Sequence, residues 1–279
     1  MTWGAIEEAE ESASRHVFLT LKPKDMKRWL RAVAKEYVRL RTESVIPLPA
    51  MLDVSGIGVF DVSELKARLA KAVVPQDDKH RKQFSVTRAD LSEVAAYMLL
   101  EKKFGTEIAF KLVRDRELIP LPGRGIDAIG LEKKEKLLVV LSEVKCSDEN
   151  SAPRAPQVVD MKNDGLRKQH LGHLKELNQT IAKIWDCARR AKDGELQEGL
   201  LTAAIYLAEG CSEEVEIVSS CILVRPESRY SSGDFGSFKK SPEDFSPAAV
   251  RFLIWALPGD LDSILADWAQ EVEEQRQML

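Results

Sequence analysis

The chain has 279 residues, 44% hydrophobic and 31% charged, enough for one full core with room for a small second lobe. A net charge of −4 and a pI near 5.8 exclude the strongly basic class that grips nucleic acid unaided. No apolar run approaches the ~20 residues that span a bilayer, no secretory signal opens the chain, and Cys146, Cys187, Cys211 and Cys221 form no CxxC, so a reducing cytoplasm is the expected compartment, without zinc or disulfide bonds.

Residues 1–15 are acidic and rich in Ala and Ser and are expected to fray. Residues 16–21 alternate as a strand. A helix follows from Pro23 and Lys24 to Arg41, with Trp29, Leu30, Val33, Tyr37, Val38 and Leu40 as its buried face. The same stretch carries Lys22, Lys24, Lys27, Arg28, Arg31, Lys35, Arg39 and Arg41, which suit either a phosphate-tracking surface or a solvated helix face. Residues 45–60 hold Pro47, Pro49, Gly56 and Gly58 and read as irregular; 63–73 read as a short helix. The charged, Pro-containing stretch 74–81 is the best boundary. It divides an N-terminal strand–helix segment, 1–80, suited to docking a partner, from a main domain, 81–279.

Residues 87–104 read as a helix. Thr87 and Asp90 have capping-box spacing, Leu91, Val94, Ala95, Met98 and Leu99 recur on one face, and Gly105 is the expected C-cap. Glu93 lies beside the apolar stripe with Tyr97 one turn on, either reaching a site or serving as a first-turn acid. Glu101 reads as a solvated charge. Next come two short strands, one opened by Gly123-Arg124-Gly125 and carrying Asp127, the other at 137–145, joined by the polar turn 132–136. Residues 146–153 form a polar loop, and 163–192 read as one long helix with an apolar stripe through Leu166, Leu174, Ile181 and Ile184. Residues 200–207 fit helix or strand. Residues 215–224 and 251–256 read as strands, 230–245 as a mobile Ser/Gly/Phe-rich loop, and 261–275 as an amphipathic terminal helix. Phe235, Phe238 and Trp255 suit core packing better than base stacking.

Chemistry concentrates between 125 and 145. Strand side chains alternate, so Glu143 and Lys145 share a face and Val144 turns to the core. A hairpin partner brings Asp127 alongside Glu143. Two carboxylates and the Val144 carbonyl are hard oxygen ligands suited to Mg²⁺ or Mn²⁺. Lys145 sits beside them in what is expected to be a solvent-filled cleft. An ordinary hairpin with a surface ion pair is the bland alternative. On the 163–192 helix, Arg167, Lys168, Gln169, His170, His173 and Lys175 are candidates to meet a phosphate backbone, as is Arg124. The pair His170 and His173 lacks the acid or Cys partners of a zinc site.

Asp127 followed by Glu143-Val144-Lys145 resembles the PD-(D/E)xK nuclease signature, with Ile126 where that signature often has Pro. The resemblance covers roughly residues 85–225. It implies an α/β, restriction-endonuclease-like core: a mixed central sheet flanked by helices, entered through a helix and a three-stranded antiparallel meander. It implies a metal at Asp127, Glu143 and Val144, catalysis by Asp127, Glu143, Lys145 and Glu93, and cleavage of DNA. The spelling GRGIDAIG…EVK is also similar to nuclease subunits of Hachiman-type anti-phage defence systems, which implies a helicase partner. The acidic pI suits a subunit that borrows its grip on DNA. The alternatives are a free-standing restriction or repair endonuclease acting as a homodimer, and a non-catalytic assembly protein on a nuclease fold.

Overall fold

The computed structural model describes residues 3–13, 15–42, 51–54, 58–64, 68, 73–74, 87–115, 126–161, 163–191 and 193–278. In chain order the strands are β1 (Ile6–Ala13), β2 (His16–Pro23), β3 (Met51–Val54), β4 (Gly58–Asp61), β5 (Glu107–Lys111), β6 (Ala128–Lys133), β7 (Leu137–Cys146), β8 (Val215–Pro226) and β9 (Ala249–Leu257). The helices are α1 (Met26–Thr42), α2 (Arg88–Leu99), α3 (Leu112–Asp115), α4 (Gln157–Asp160), α5 (Leu166–Lys175), α6 (Leu177–Arg190), α7 (Gly194–Glu209), α8 (Gly236–Lys240) and α9 (Leu261–Gln277).

β8 and β9 are apolar along almost their whole length, and such strands are stable only with both faces covered. They lie at the centre of a seven-stranded sheet of order β1-β2-β9-β8-β7-β6-β5. β2, β9, β8 and β7 are mutually parallel, while β1 and the β5-β6-β7 meander run antiparallel at the two sides. The fold is therefore α/β with a mixed sheet, as expected.

One face packs on α1, α2 and α9 through Trp29, Tyr37, Tyr97, Trp255 and Trp268, all fully buried. The other face is covered in two parts. Over β6 and β7 lie α6 and α7, with Ile184, Leu200 and Ala203 in contact with Leu131, Val139 and Leu141. Over β8 and β9 lie α5, α8 and the 230–245 segment, with Leu166, Phe235, Phe238 and Phe245 against Cys221, Leu223 and Phe252. No helix among the described residues is long and apolar enough to cross a membrane.

The α2 start behaves as its spacing predicts: Thr87 and Asp90 form a reciprocal capping box. The helix ends in a π-helical turn, 100–104, closed by Gly105 at φ +70. Gly130 is explained by packing, because a Cβ there would meet Thr106 Cγ2 at 2.6 Å.

Several expectations are corrected. Residues 6–13 do not fray; their backbone pairs with β2 along the full strand, from Ile6↔Pro23 to Ala13↔His16. They look disordered in sequence because the strand lies at the sheet edge with its glutamates exposed. Within the stretch expected to be irregular, β3 and β4 pair antiparallel from Met51↔Asp61 to Val54↔Gly58, and residues 45–50 and 55–57 lie outside the described residues. The 74–81 boundary does not coincide with a break in the sheet, since β1, β2 and α1 belong to the central sheet and its core; residues 65–67, 69–72 and 75–86 lie outside the described residues. Glu101 is not a free surface charge but pairs with buried Lys111 at 2.6 Å. The 163–192 helix is two helices, broken at Glu176, whose φ −98 and ψ 50 leave the helical region. Residues 200–207 are helical, in α7.

The 230–245 segment is packed rather than mobile. Its Asp234 meets fully buried Arg225 at 3.0 Å, and Arg225 also donates to the carbonyls of Glu149 (2.9 Å) and Arg229 (2.6 Å). This one guanidinium ties β8 to the loops on both sides. Removing one partner of a buried pair leaves an uncompensated charge, which typically costs about 3–5 kcal/mol. Arg225→Met should therefore lower unfolding free energy by about that amount in urea titration. A loss within measurement error would mean that the segment is held by its phenylalanines alone.

Candidate active site

The site forms where β6 begins and β7 carries on past it. The outermost rung is Asp127 N–H donating to Ser142 O at 3.1 Å. Beyond that rung β6 supplies no partner to β7. Backbone direction alternates along a strand, so Val144, two residues after Ser142, also faces the gap. Its N–H donates to Asp127 Oδ2 at 2.7 Å, and its carbonyl opens on the same side. The register that pairs Ala128 with Ser142 sets Asp127 beside Glu143, the neighbour expected from the sequence, and its carboxylate reaches on to the Val144 N–H.

Glu143 projects to the opposite face from Val144, beneath α5, and is only 1% exposed. The expected solvent-filled cleft is therefore corrected for Glu143: its carboxyl is enclosed. Oε1 meets His173 Nε2 at 2.9 Å, and the carboxyl is also hydrogen-bonded to that of Asp127. Burial pushes Glu143 up to about 7, against the pull of Lys145 and Lys183. Burial, then the charge of Glu143 and the hydrogen bond with it, raise Asp127 to about 8. The hydrogen bond from Val144 and the charge of Lys145 work the other way. Lys145 is half-buried and has no carboxylate within ion-pair distance among the described residues.

Glu93 stands on α2, on the far face of the sheet, and is buried. It joins the site through Tyr97, whose hydroxyl lies 3.2 Å from Glu93 Oε2 and 3.1 Å from the Asp127 carbonyl. Burial, then the charges of Glu93 and Asp127, keep that phenol protonated far above its ordinary range. Tyr97 is a residue that sequence reasoning placed beside Glu93 without assigning it a role.

Of the α5 candidates, His173 reaches the acids and the others divide. His173 is the last-turn residue before the helix break, and its carbonyl accepts from Thr180 Oγ1 at 2.7 Å. Burial, then the charge of Lys183, lower it to about 4, so it is neutral at pH 7. Gln169 precedes it by one turn on the same face, and its Oε1 is buried and unpartnered. His170 is corrected: it is fully buried, packs against Phe238, and cannot touch a nucleic acid from there. Arg167 is held by Ser237 and Asp244, and Lys168 bonds Asn163 at the surface. Lys175 is exposed. Arg124 lies outside the described residues. Lys183, which acts on both Glu143 and His173, was missed because the helix break that turns α6 toward the site has no Gly or Pro to announce it.

Much of the N-terminal basic cluster is engaged internally. Lys22 pairs with Glu227, Arg31 with Glu271 and Arg39 with Glu36, and Arg41 donates to the Val73 and Val113 carbonyls.

The residues fit a small divalent cation. Two enclosed acids held against each other both gain when a positive charge replaces the proton between them. Mg²⁺ needs only one or two carboxylates, since it keeps water and phosphate in its other positions. The protein ligands would be Asp127, Glu143 and the Val144 carbonyl; among the described residues no three His, Cys, Asp or Glu side chains converge as a ligand set. No family model, curated protein or solved structure matches this chain.

The raised acids make a pH prediction. Folding holds protons that the unfolded chain sheds near pH 4, so the pair's contribution to stability is full below about pH 4 and is lost as pH rises through about 7 to 8. Asp127→Asn removes the ionisable member. In a chelating buffer at about pH 8.5 it should melt several degrees above wild type, with the gap closing toward about pH 5. A variant that melts below wild type at both values would make Asp127 a structural acid.

Proposed function

We propose that this chain is a metal-dependent nuclease. Asp127 and Glu143, with the Val144 carbonyl, hold Mg²⁺ or Mn²⁺, and Lys145 acts at the phosphate. The observation that carries this reading is the enclosed Asp127–Glu143 pair, two acids bonded to each other, with Lys145 two residues on along the same strand face. The element order supports it: a helix bearing Glu93, an antiparallel meander bearing both acids and the lysine, then helices and a parallel strand. That is the order the PD-(D/E)xK resemblance implies.

A bound divalent ion supplies a coordinated water of lowered pKa and a clamp on the phosphoryl oxygens. The chain's own groups do the rest. Lys145 places a fixed positive charge where the scissile phosphate gains negative charge, in surroundings poor in water, where such charges act most strongly. His173, neutral and hydrogen-bonded to Oε1, fixes the rotamer of Glu143 without adding charge. Tyr97 holds the Asp127 backbone and couples Glu93 to it.

The finer reading is a DNA endonuclease subunit of an anti-phage defence complex, working with a helicase. Two observations favour it over a free-standing enzyme: the acidic net charge, and the engagement of several N-terminal cations by the protein's own acids. Such a subunit needs a partner to hold the polyanion.

Plasmid nicking with Mg²⁺ tests both levels, with the protein alone and co-purified with the products of neighbouring genes. Cleavage should fall about 10²- to 10³-fold in Lys145→Ala and vanish in Glu143→Ala. Undiminished cutting by Glu143→Ala would remove the site assignment. Cleavage by the chain alone, unchanged by any partner, would favour the free-standing enzyme. His173→Ala should cost about 10- to 100-fold in metal affinity or rate, as expected for a group that orients a ligand; His173→Gln, which keeps a donor, should recover part of the loss.

A further inference from the structure

Beside the acid pair lies a cavity of about 170 Å³ between β5, β6 and α6. Phe110, Ile126, Ile129 and Cys187 line it with apolar surface, and Lys183, Asp186 and Arg190 complete the lining, Arg190 paired with Asp186 at 3.4 Å. It lies beside the stretch that carries Asp127. Ile126 precedes Asp127 in the chain, and Lys183 is close enough to Glu143 and His173 to act on both.

Two features mark it as a seat for a ligand rather than a packing fault. Lys183, Asp186, Cys187 and Arg190 recur at i, i+3, i+4 and i+7, so one face of α6 is given over to it. On the opposite wall the β5–β6 register shifts between Ile108 and Phe110. A bulge of that kind re-aims a side chain, and here Phe110 is the one that lines the cavity. Its volume is below the several hundred Å³ of a site for a drug-sized molecule. Apolar walls with one aromatic ring match a flat heterocycle, and Lys183, with Arg190 once it exchanges Asp186 for phosphate, matches the phosphate chain attached to it.

We infer that this cavity seats one unpaired base next to the scissile phosphate, so that the substrate is single-stranded or locally opened nucleic acid rather than closed duplex. The inference rests on the nuclease reading above. A base within a duplex is stacked on both faces and cannot enter a cavity lined by Phe110 and Cys187 without leaving the stack. Lys183 and Arg190, two helical turns or about 10.5 Å apart along the axis, flank the path of the backbone on either side of that base.

The test is binding by fluorescence anisotropy with the full chain, in Ca²⁺ and at low salt, where phosphate contacts are strongest. Three labelled probes of equal length are compared: an oligothymidine strand, an abasic strand with the same backbone, and a blunt duplex. The thymidine strand should bind about tenfold tighter than either of the others, or ~1.4 kcal/mol. Cys187→Phe, which fills the cavity, should bring the thymidine strand to the abasic value and leave abasic binding unchanged. Phe110→Ala, which removes the ring, should do the same and serves if Cys187→Phe does not fold. Equal binding of thymidine and abasic strands by wild type, with plasmid cleavage still lost in Glu143→Ala, would overturn the base seat and leave the nuclease standing. Absence of binding to all three probes and of cleavage, both by the chain alone and when co-purified with its partner, would overturn both.

Discussion

Two carboxyl groups held together away from water are the constraint around which the site is arranged. An isolated acid in that position would be neutral, and two are harder to ionise than one. Keeping both requires that something fix their geometry when they are charged and when they are not. The sheet does this for Asp127, through a main-chain rung to Ser142 and a hydrogen bond from Val144. His173 does it for Glu143. Each acid is thus oriented by a group that carries no charge, and the electrostatic demand of the pair is left for a cation to meet.

The scaffold explains why such a demand can be tolerated. The strands beside the acids are buried on both faces, and three tryptophans and two tyrosines close one of those faces without exposure. Two buried charges elsewhere in the interior are held by several partners each: Glu132 takes a two-pronged contact from Arg251 and a third bond from Thr106, and Arg225 is enclosed by carbonyls and Asp234. The Asp127–Glu143 pair differs from these: the two acids are bonded to each other, and among the described residues no Lys or Arg stands within ion-pair distance of either.

How far the sequence could be read depended on whether position was set locally. Strand alternation fixed the facing of Glu143, Val144 and Lys145, and the Asp127 pairing followed from a short turn. The α2 cap was written in Thr87 and Asp90. What was hidden depended on long-range contact. β1 has almost no buried face and becomes a strand only because β2 is beside it. The break at Glu176 is stabilised by Thr180 reaching back to His173, and no local signal marks it. The enclosure of Glu143 was illegible for the same reason, since it depends on where α5 stops. The packing of 230–245 hinged on Arg225, an arginine at the end of an apolar strand whose partners lie on loops from two parts of the chain.

The exposed row of glutamates on β1 has a consequence for how copies of this protein meet. An edge strand offers unpaired backbone groups to any neighbour, and the simplest neighbour is the same strand of another molecule. If two copies joined antiparallel about Ala9, Glu8 would stand opposite Glu10 and Glu7 opposite Glu11, in both directions. Like charges set directly across a ladder are destabilising, and here four such pairs would form at once, while Glu7, Glu8 and Glu11 already have Lys24, Lys103 and Lys239 of their own molecule as partners. The sequence that looks too polar to be a strand is therefore what lets the sheet end there without growing into a ribbon of protein.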